Sequence, residues 1–291
     1  MAPYAIQGLA FLYQVGDVFA FLVLAAGGLA IIFGMMGIIN MAHGEFITCG
    51  AYVTTFMVRA GAPLAFGIAV GALAAGVLGI VLERTLVCRF YKRPIDSLVV
   101  TWGLSLILTQ GALLLLGSAW PSVGTPLGSF AFGGYSFSVY RLVMVGVAIA
   151  TLLVLYLLFM KTRFGVHARA TMQNPEMARS LGVPVDRVYS QTFCIGAALA
   201  GLAGGLYAPT LTLSPTMGSS FVIESFVTVV VGGADVLLGT TSAAAVLAVI
   251  RAGFTAAYGQ VFGLIGLLVT VCIVIRLAPE GFSGWLSRQR A

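Results

Sequence analysis

Apolar residues in this sequence come in long uninterrupted runs separated by short polar connectors. Ala62–Leu82 and Leu142–Met160 are typical, each close to the ~20 residues an α-helix needs to cross hydrocarbon. A membrane β-barrel would alternate apolar and polar residues over strands of about ten, so the pattern predicts helices. Reading each run as a crossing gives spans at Asp17–Ile39, Ala62–Leu82, Leu98–Leu116, Leu142–Met160, Thr192–Tyr207, Thr241–Ala257 and Val261–Ile275. Phe46–Val58 and Phe221–Val231 are shorter and fit either full crossings or re-entrant pieces. The expected fold is an all-α integral membrane bundle of eight or nine transmembrane helices, some short or broken. Ser118–Val139, rich in Gly, Ser and Pro with alternating aromatics, reads as an external loop or small hairpin.

Composition identifies the solvent. The 291 residues are 60% hydrophobic and 8% charged, with a mean hydropathy of +1.06. Soluble domains are roughly 45–50% apolar and about 25% charged. Too few charges remain to cover a water-facing surface, so the chain reads as a single membrane domain over residues 1–291. The 37 glycines suit close helix approach in lipid.

The net charge of +6 is explained by position. Arg84, Arg89, Lys92 and Arg93 fall in one connector, and Lys161, Arg163, Arg169, Arg179 and Arg187 in another; Arg276, Arg288 and Arg290 lie near the C-terminus. Only Arg59, Arg141 and Arg251 fall elsewhere. The positive-inside rule puts the three rich clusters in the cytoplasm, with the N-terminus outside and the C-terminus inside. A nucleic-acid partner is not expected, because it would require a basic face with interleaved aromatics. No basic region precedes the first apolar run, so a cleavable signal peptide is not expected. Cys49, Cys88, Cys194 and Cys272 lack metal-ligand or paired spacing.

An ionisable group beside a membrane span is costly and is a functional candidate by default. Asn40, His43 and Glu45 lie within six residues, between two apolar stretches and flanked by Gly37 and Gly44. A helix broken there would free backbone groups for a polar solute or serve as a hinge; alternatively, Asn40 and His43 simply cap two helices. The topology puts this cluster nearer the inner surface than the midplane, leaving no carboxylate deep in a long span. Gly232, Gly233, Asp235 and Gly239 mark a second break, read as a tight helix–helix turn or as pore lining. Thr216 and Glu224 are candidates for solute contact near the outer mouth or along the pathway. Thr101, Ser105 and Thr109 share one helical face. That stripe fits helix–helix hydrogen bonding better than pore lining, with both left open.

The connector Lys161–Ser190 is too long for a turn. Within it, Asn174 is a good N-cap, Pro175 fits the first helical position and Glu176 suits the positive helix end; Met177 and Leu181 are apolar, and Gly182 supplies the stop. A short capped cytoplasmic helix suits docking to a partner protein or lying on the membrane, and its small apolar face favours the partner. No GxxxxGK[ST] and no HExxH occur, so the chain is expected to have no ATPase site of its own and to bind no cofactor or metal. Energy must come from a partner or a gradient.

At this point the sequence resembles the permeases of ABC importers for branched-chain amino acids, urea and short amides. The resemblance rests on Gly34–Glu45, Thr162–Arg169, Asn174–Gly182, Val231–Gly233 with Gly239 and Thr240, and Arg276–Phe282, in the family's order across nearly the whole chain. It implies a second permease subunit, identical or homologous, and two cytoplasmic ATPase subunits carrying ATP with magnesium. It also implies an extracytoplasmic solute-binding protein and a place in the bacterial-type cytoplasmic membrane. It assigns Asn174–Gly182 to ATPase coupling. Arg93–Asp96 with Thr101–Gly103, and Pro215–Gly218 before Phe221–Glu224, look more like the urea and amide branch. The broader amino-acid branch is the leading expectation, with urea or a short amide beside it. From the residues alone, a partner-independent channel or secondary transporter is the alternative of another class.

Overall fold

Each long apolar run becomes a helix, and most extend beyond the run, because polar residues at an interface continue the helix without cost in hydrocarbon. The computed structural model describes residues 3–91, 93–233, 235, 237–278 and 281–283. Lys92, the Pro279–Glu280 part of the C-terminal motif, Arg288 and Arg290 lie outside the described residues. The elements run α1 (Pro3–Met36), α2 (His43–Arg59), α3 (Leu64–Thr85), a 3-10 turn (Val87–Phe90) and α4 (Pro94–Leu116). A hairpin of β1 (Ser129–Phe132) and β2 (Tyr135–Ser138) follows, then α5 (Val139–Lys161), α6 (Arg163–Gln173) and α7 (Pro175–Ser180). The chain continues with α8 (Val185–Tyr207), α9 (Met217–Gly232), α10 (Leu238–Tyr258) and α11 (Gln260–Leu277).

Among the described residues six helices are long and apolar enough to cross a membrane: α1, α3, α4, α5, α10 and α11. The expected eight or nine counted α2 and α9, which have only 17 and 16 residues, and α8, which has 23 residues but a polar first half. The first helix starts at Pro3, well before the expected Asp17, and stops at Met36 because Gly37 turns to φ +64°. The long connector is mostly helical, since α6 and α7 fill its centre and α8 begins at Val185.

The chain divides into two compact units: residues 1–23, 125–153 and 226–291 form one, and residues 24–124 and 154–225 the other. In the first unit, Gly133 and Gly134, both at positive φ, make the two-residue turn of the hairpin. The Tyr13 hydroxyl joins that hairpin to α1, donating to the Ser138 carbonyl at 3.1 Å and accepting from its N–H at 2.9 Å. Arg141 at the head of α5 pairs with Asp17 of α1 at 2.5 Å.

The second unit is built around α2, which packs on α3 and α8. Small residues set the spacing, as lipid-solvated bundles require. A Cβ at Gly204 of α8 would collide with the Ile47 carbonyl of α2, and one at Gly50 would collide with Gly201. The partner in both cases is backbone, which cannot rotate away. On the same two helices Phe46 and Phe193 meet edge-to-face at 5.9 Å, both fully buried. At the far end of α2 Arg59 lies over the Trp120 ring at 4.6 Å and donates to the Pro121 carbonyl at 3.0 Å.

Gly204→Ala is therefore expected to cost about 1–3 kcal/mol, the usual range for overpacking a tight interface. Gly111→Ala in α4, where a Cβ meets nothing within 4 Å, serves as the control. Thermal unfolding in nanodiscs should show a clear loss for the first and none for the second; equal behaviour would refute the backbone-contact account.

Candidate functional site

The break after α1 sits at Gly37–Ala42, and it doubles the chain back on itself. His43 begins α2, and its Nε2 lies 2.9 Å from the Ala25 carbonyl. A carbonyl can only accept, so Nε2 carries the proton. Ala25 is eleven residues before the end of α1, or about 16 Å at 1.5 Å per residue. The six-residue break therefore climbs back along α1 before helix resumes. Gly44, expected as a second breaking glycine, instead lies inside the first turn of α2, where a Cβ would collide with Gly218 at the start of α9.

Asn40 and Thr101 hold the break. Asn40, 1% exposed, accepts on Oδ1 from the Ala42 N–H at 3.1 Å, a turn within the break, while α2 itself has no side-chain cap. The Asn40 Nδ2 has no acceptor among the described residues. The Thr101 hydroxyl of α4 donates to its own Ser97 carbonyl at 2.8 Å and accepts from the Met41 N–H at 3.1 Å.

Glu45, in the first turn of α2, takes the other two hydroxyls of the stripe. Its Oε1 accepts from Ser105 and from Thr109, each at 2.9 Å. All three hydroxyls of the face Thr101–Ser105–Thr109 thus make helix–helix hydrogen bonds to α2 and the break before it. Ser105 has eleven residues of α4 on either side, about 16 Å to each end. This places Glu45 at the mid-height of a membrane-length helix and corrects the expectation that the cluster lies near the inner surface. The charge pattern gives the side on which α1 ends, but not that the six-residue break returns along α1 before α2 begins. Glu45 is 7% exposed, and no ion pair joins it to a cation among the described residues. What compensates it is the pair of hydroxyls and the positive end of α2.

The remaining candidates are dispersed. Glu224 is buried in α9, and Thr216 is exposed just before that helix, with its hydroxyl 3.2 Å from that of Ser214. Gly232 ends α9, Gly233 turns at φ +79°, and Gly239 lies in the first turn of α10 against Gly232. Asp235 accepts from the N–H groups of Leu237 and Leu238 at 2.9 Å. Among the described residues no three His, Cys, Asp or Glu side chains come together as a metal set, and the four cysteines are free thiols.

In the connector, Asn174 Oδ1 accepts from the N–H of Glu176 at 3.1 Å and of Met177 at 3.0 Å, with Pro175 in the first turn and Gly182 at φ +85° beyond the end. Met177 and Leu181 are 59% and 77% exposed. One buried cluster escaped the sequence reading. Glu83, at the end of α3, accepts from the Tyr91 hydroxyl and from Ser190 of α8, the latter at 2.6 Å. Burial, reinforced by the Glu83 carboxylate, holds the Tyr91 hydroxyl far above the usual tyrosine range, so it remains a donor. The only signal for this cluster was an acid closing an apolar run.

The model of one protein family, described as the branched-chain amino acid transport system / permease component, matches residues 12–275. Among curated relatives, the high-affinity branched-chain amino acid transport system permease protein LivH of Escherichia coli K12 is 29% identical, over 90% of each chain. BraD of Pseudomonas aeruginosa, named for the same kind of system, is 26% identical over 93% of this chain and 92% of its own. The autoinducer 2 import system permease protein LsrD of Yersinia enterocolitica is 26% identical over 87% of this chain and 81% of its own. No solved structure matches.

Asn174→Ala should remove about 1 kcal/mol of capping. Hydrogen–deuterium exchange over residues 175–180 should accelerate several-fold while α8 is unchanged; unaltered exchange would mean that α7 does not depend on its cap.

Proposed function

The chain belongs to the branched-chain amino acid transport system permease component family, and from that membership we propose that it is the transmembrane subunit of an ATP-driven importer of a small amino acid. It is a multi-pass protein of the cytoplasmic membrane, and its relatives are transport permease subunits. In the proposed assembly it pairs with a second permease subunit, two cytoplasmic ATPases that hold ATP with magnesium, and an external binding protein. The N-terminus faces out and the basic connectors face in. Urea or a short amide is the alternative cargo.

The observation that carries the coupling step is the capped helix α7. Its first amides are satisfied by Asn174 and its Ala178 is buried, while it presents Met177 and Leu181 outward. Closure of the ATPase dimer pushes on this element. The push travels through α6 and α8, which flank it in the chain, and re-orients the spans. Asn40, Thr101, Ser105, Glu45, Thr216 and Glu224 supply the sparse polar groups of the pathway. Gly37, Gly232 and Gly233 supply its bends.

The mid-height carboxylate of Glu45 favours a second reading, an ATP-independent or ion-coupled transporter. Uptake by vesicles containing this chain alone, without ATP or a second subunit, would establish that reading against the first. In the complete complex, Glu176→Ala combined with Leu181→Ser should abolish solute-stimulated ATP hydrolysis, a loss of at least about tenfold, while membrane insertion is unaffected. Normal stimulation in that variant would remove α7 from the coupling path.

A further inference from the structure

We propose that Glu45, with Ser105 and Thr109, forms a cation-recognition subsite at the mid-height of the permease, which takes the protonated amine of the solute during passage. The inference rests on the importer reading above and adds to it a named receptor for one end of the cargo.

Three observations converge on it. The carboxylate is built in rather than left over, because two hydroxyls from successive turns of α4 converge on Oε1 at 2.9 Å. Those donors and the positive N-terminal end of α2 offset part of the cost of burying its charge. And it is not neutralised: no described cation pairs with it, and Oε2 accepts from no described residue. A side chain needed only to accept two hydroxyl protons could be a glutamine, at far lower cost in a membrane interior. The residual 7% exposure leaves the group reachable.

An ammonium group matches this carboxylate in charge. It brings three donors, of which Oε2 takes one, and its charge is shed again when the solute moves on. A neutral amide or urea would gain a hydrogen bond there but not the ion pair, so the subsite discriminates by charge. The mid-height position suits a transient stop, since both faces of the membrane are then equally distant.

The test uses the complete importer in proteoliposomes, with radiolabelled leucine as probe. Glu45→Gln preserves the acceptor for Ser105 and Thr109 and removes only the charge. It should reduce ATP-driven leucine uptake at least about tenfold while thermal stability stays at wild-type level. Wild-type uptake in the variant overturns the subsite. Absence of uptake by the wild-type complex would instead count against the importer reading. A measurement on the unaltered chain covers that case and a misfolded variant. Dicyclohexylcarbodiimide labelling of Glu45, read by peptide mass, should be slowed severalfold by isobutylammonium and not by isobutyramide. Equal slowing by the two, or by neither, overturns the proposal.

Discussion

A helix that starts half-way through a bilayer exposes its first amide N–H groups where no water can satisfy them, and the second unit of this protein is organised around that cost at the head of α2. Every element near the break contributes. Asn40 takes the Ala42 N–H, Thr101 takes the Met41 N–H from α4, and His43 ties the first turn to Ala25 of α1. Glu45 then places a carboxylate where the helix field favours it, and α4 supplies the hydroxyls that make this tolerable. The same constraint that makes the start of α2 expensive makes it the most polar interior point among the groups that the sequence nominated.

Close approach is what allows so many partners to gather there. Without a hydrophobic drive between helices in lipid, affinity comes from packing and hydrogen bonds. Gly204 against Ile47 and Gly50 against Gly201 bring backbone to backbone, and short side chains then suffice to bridge the gaps. Function and packing are hard to separate in such a unit, because the glycines set the distances across which the hydroxyls work.

What the sequence made legible follows the range of each interaction. The cap of α7 was readable because Asn174, Pro175 and Glu176 act on their immediate neighbours, and the tight turn at Gly133–Gly134 was foreshadowed as part of a loop or hairpin. The stripe Thr101–Ser105–Thr109 was visible as a periodicity, but its partner was not, since Glu45 is 60 residues from Ser105 and 64 from Thr109. The depth of Glu45 was misread for a geometric reason: α1, with 34 residues, overshoots the hydrocarbon, and the chain returns before α2 begins. The cluster of Glu83, Tyr91 and Ser190 depends on a contact 107 residues apart, and nothing local announces it.

The attachment of α4 has a thermal consequence. Trp102, Leu106, Ile107, Leu114 and Leu115 of this helix are exposed within the chain, so lipid or another subunit covers them. Its recorded side-chain links to α2 and the preceding break are the three hydroxyls. Releasing such a helix in a bilayer trades apolar neighbours for apolar neighbours and moves little surface into water. The heat-capacity change that accompanies aqueous exposure is then nearly absent, and the step is governed by the enthalpy of a few hydrogen bonds. A helix held in this way loosens gradually with temperature, with none of the curvature that marks a water-facing core.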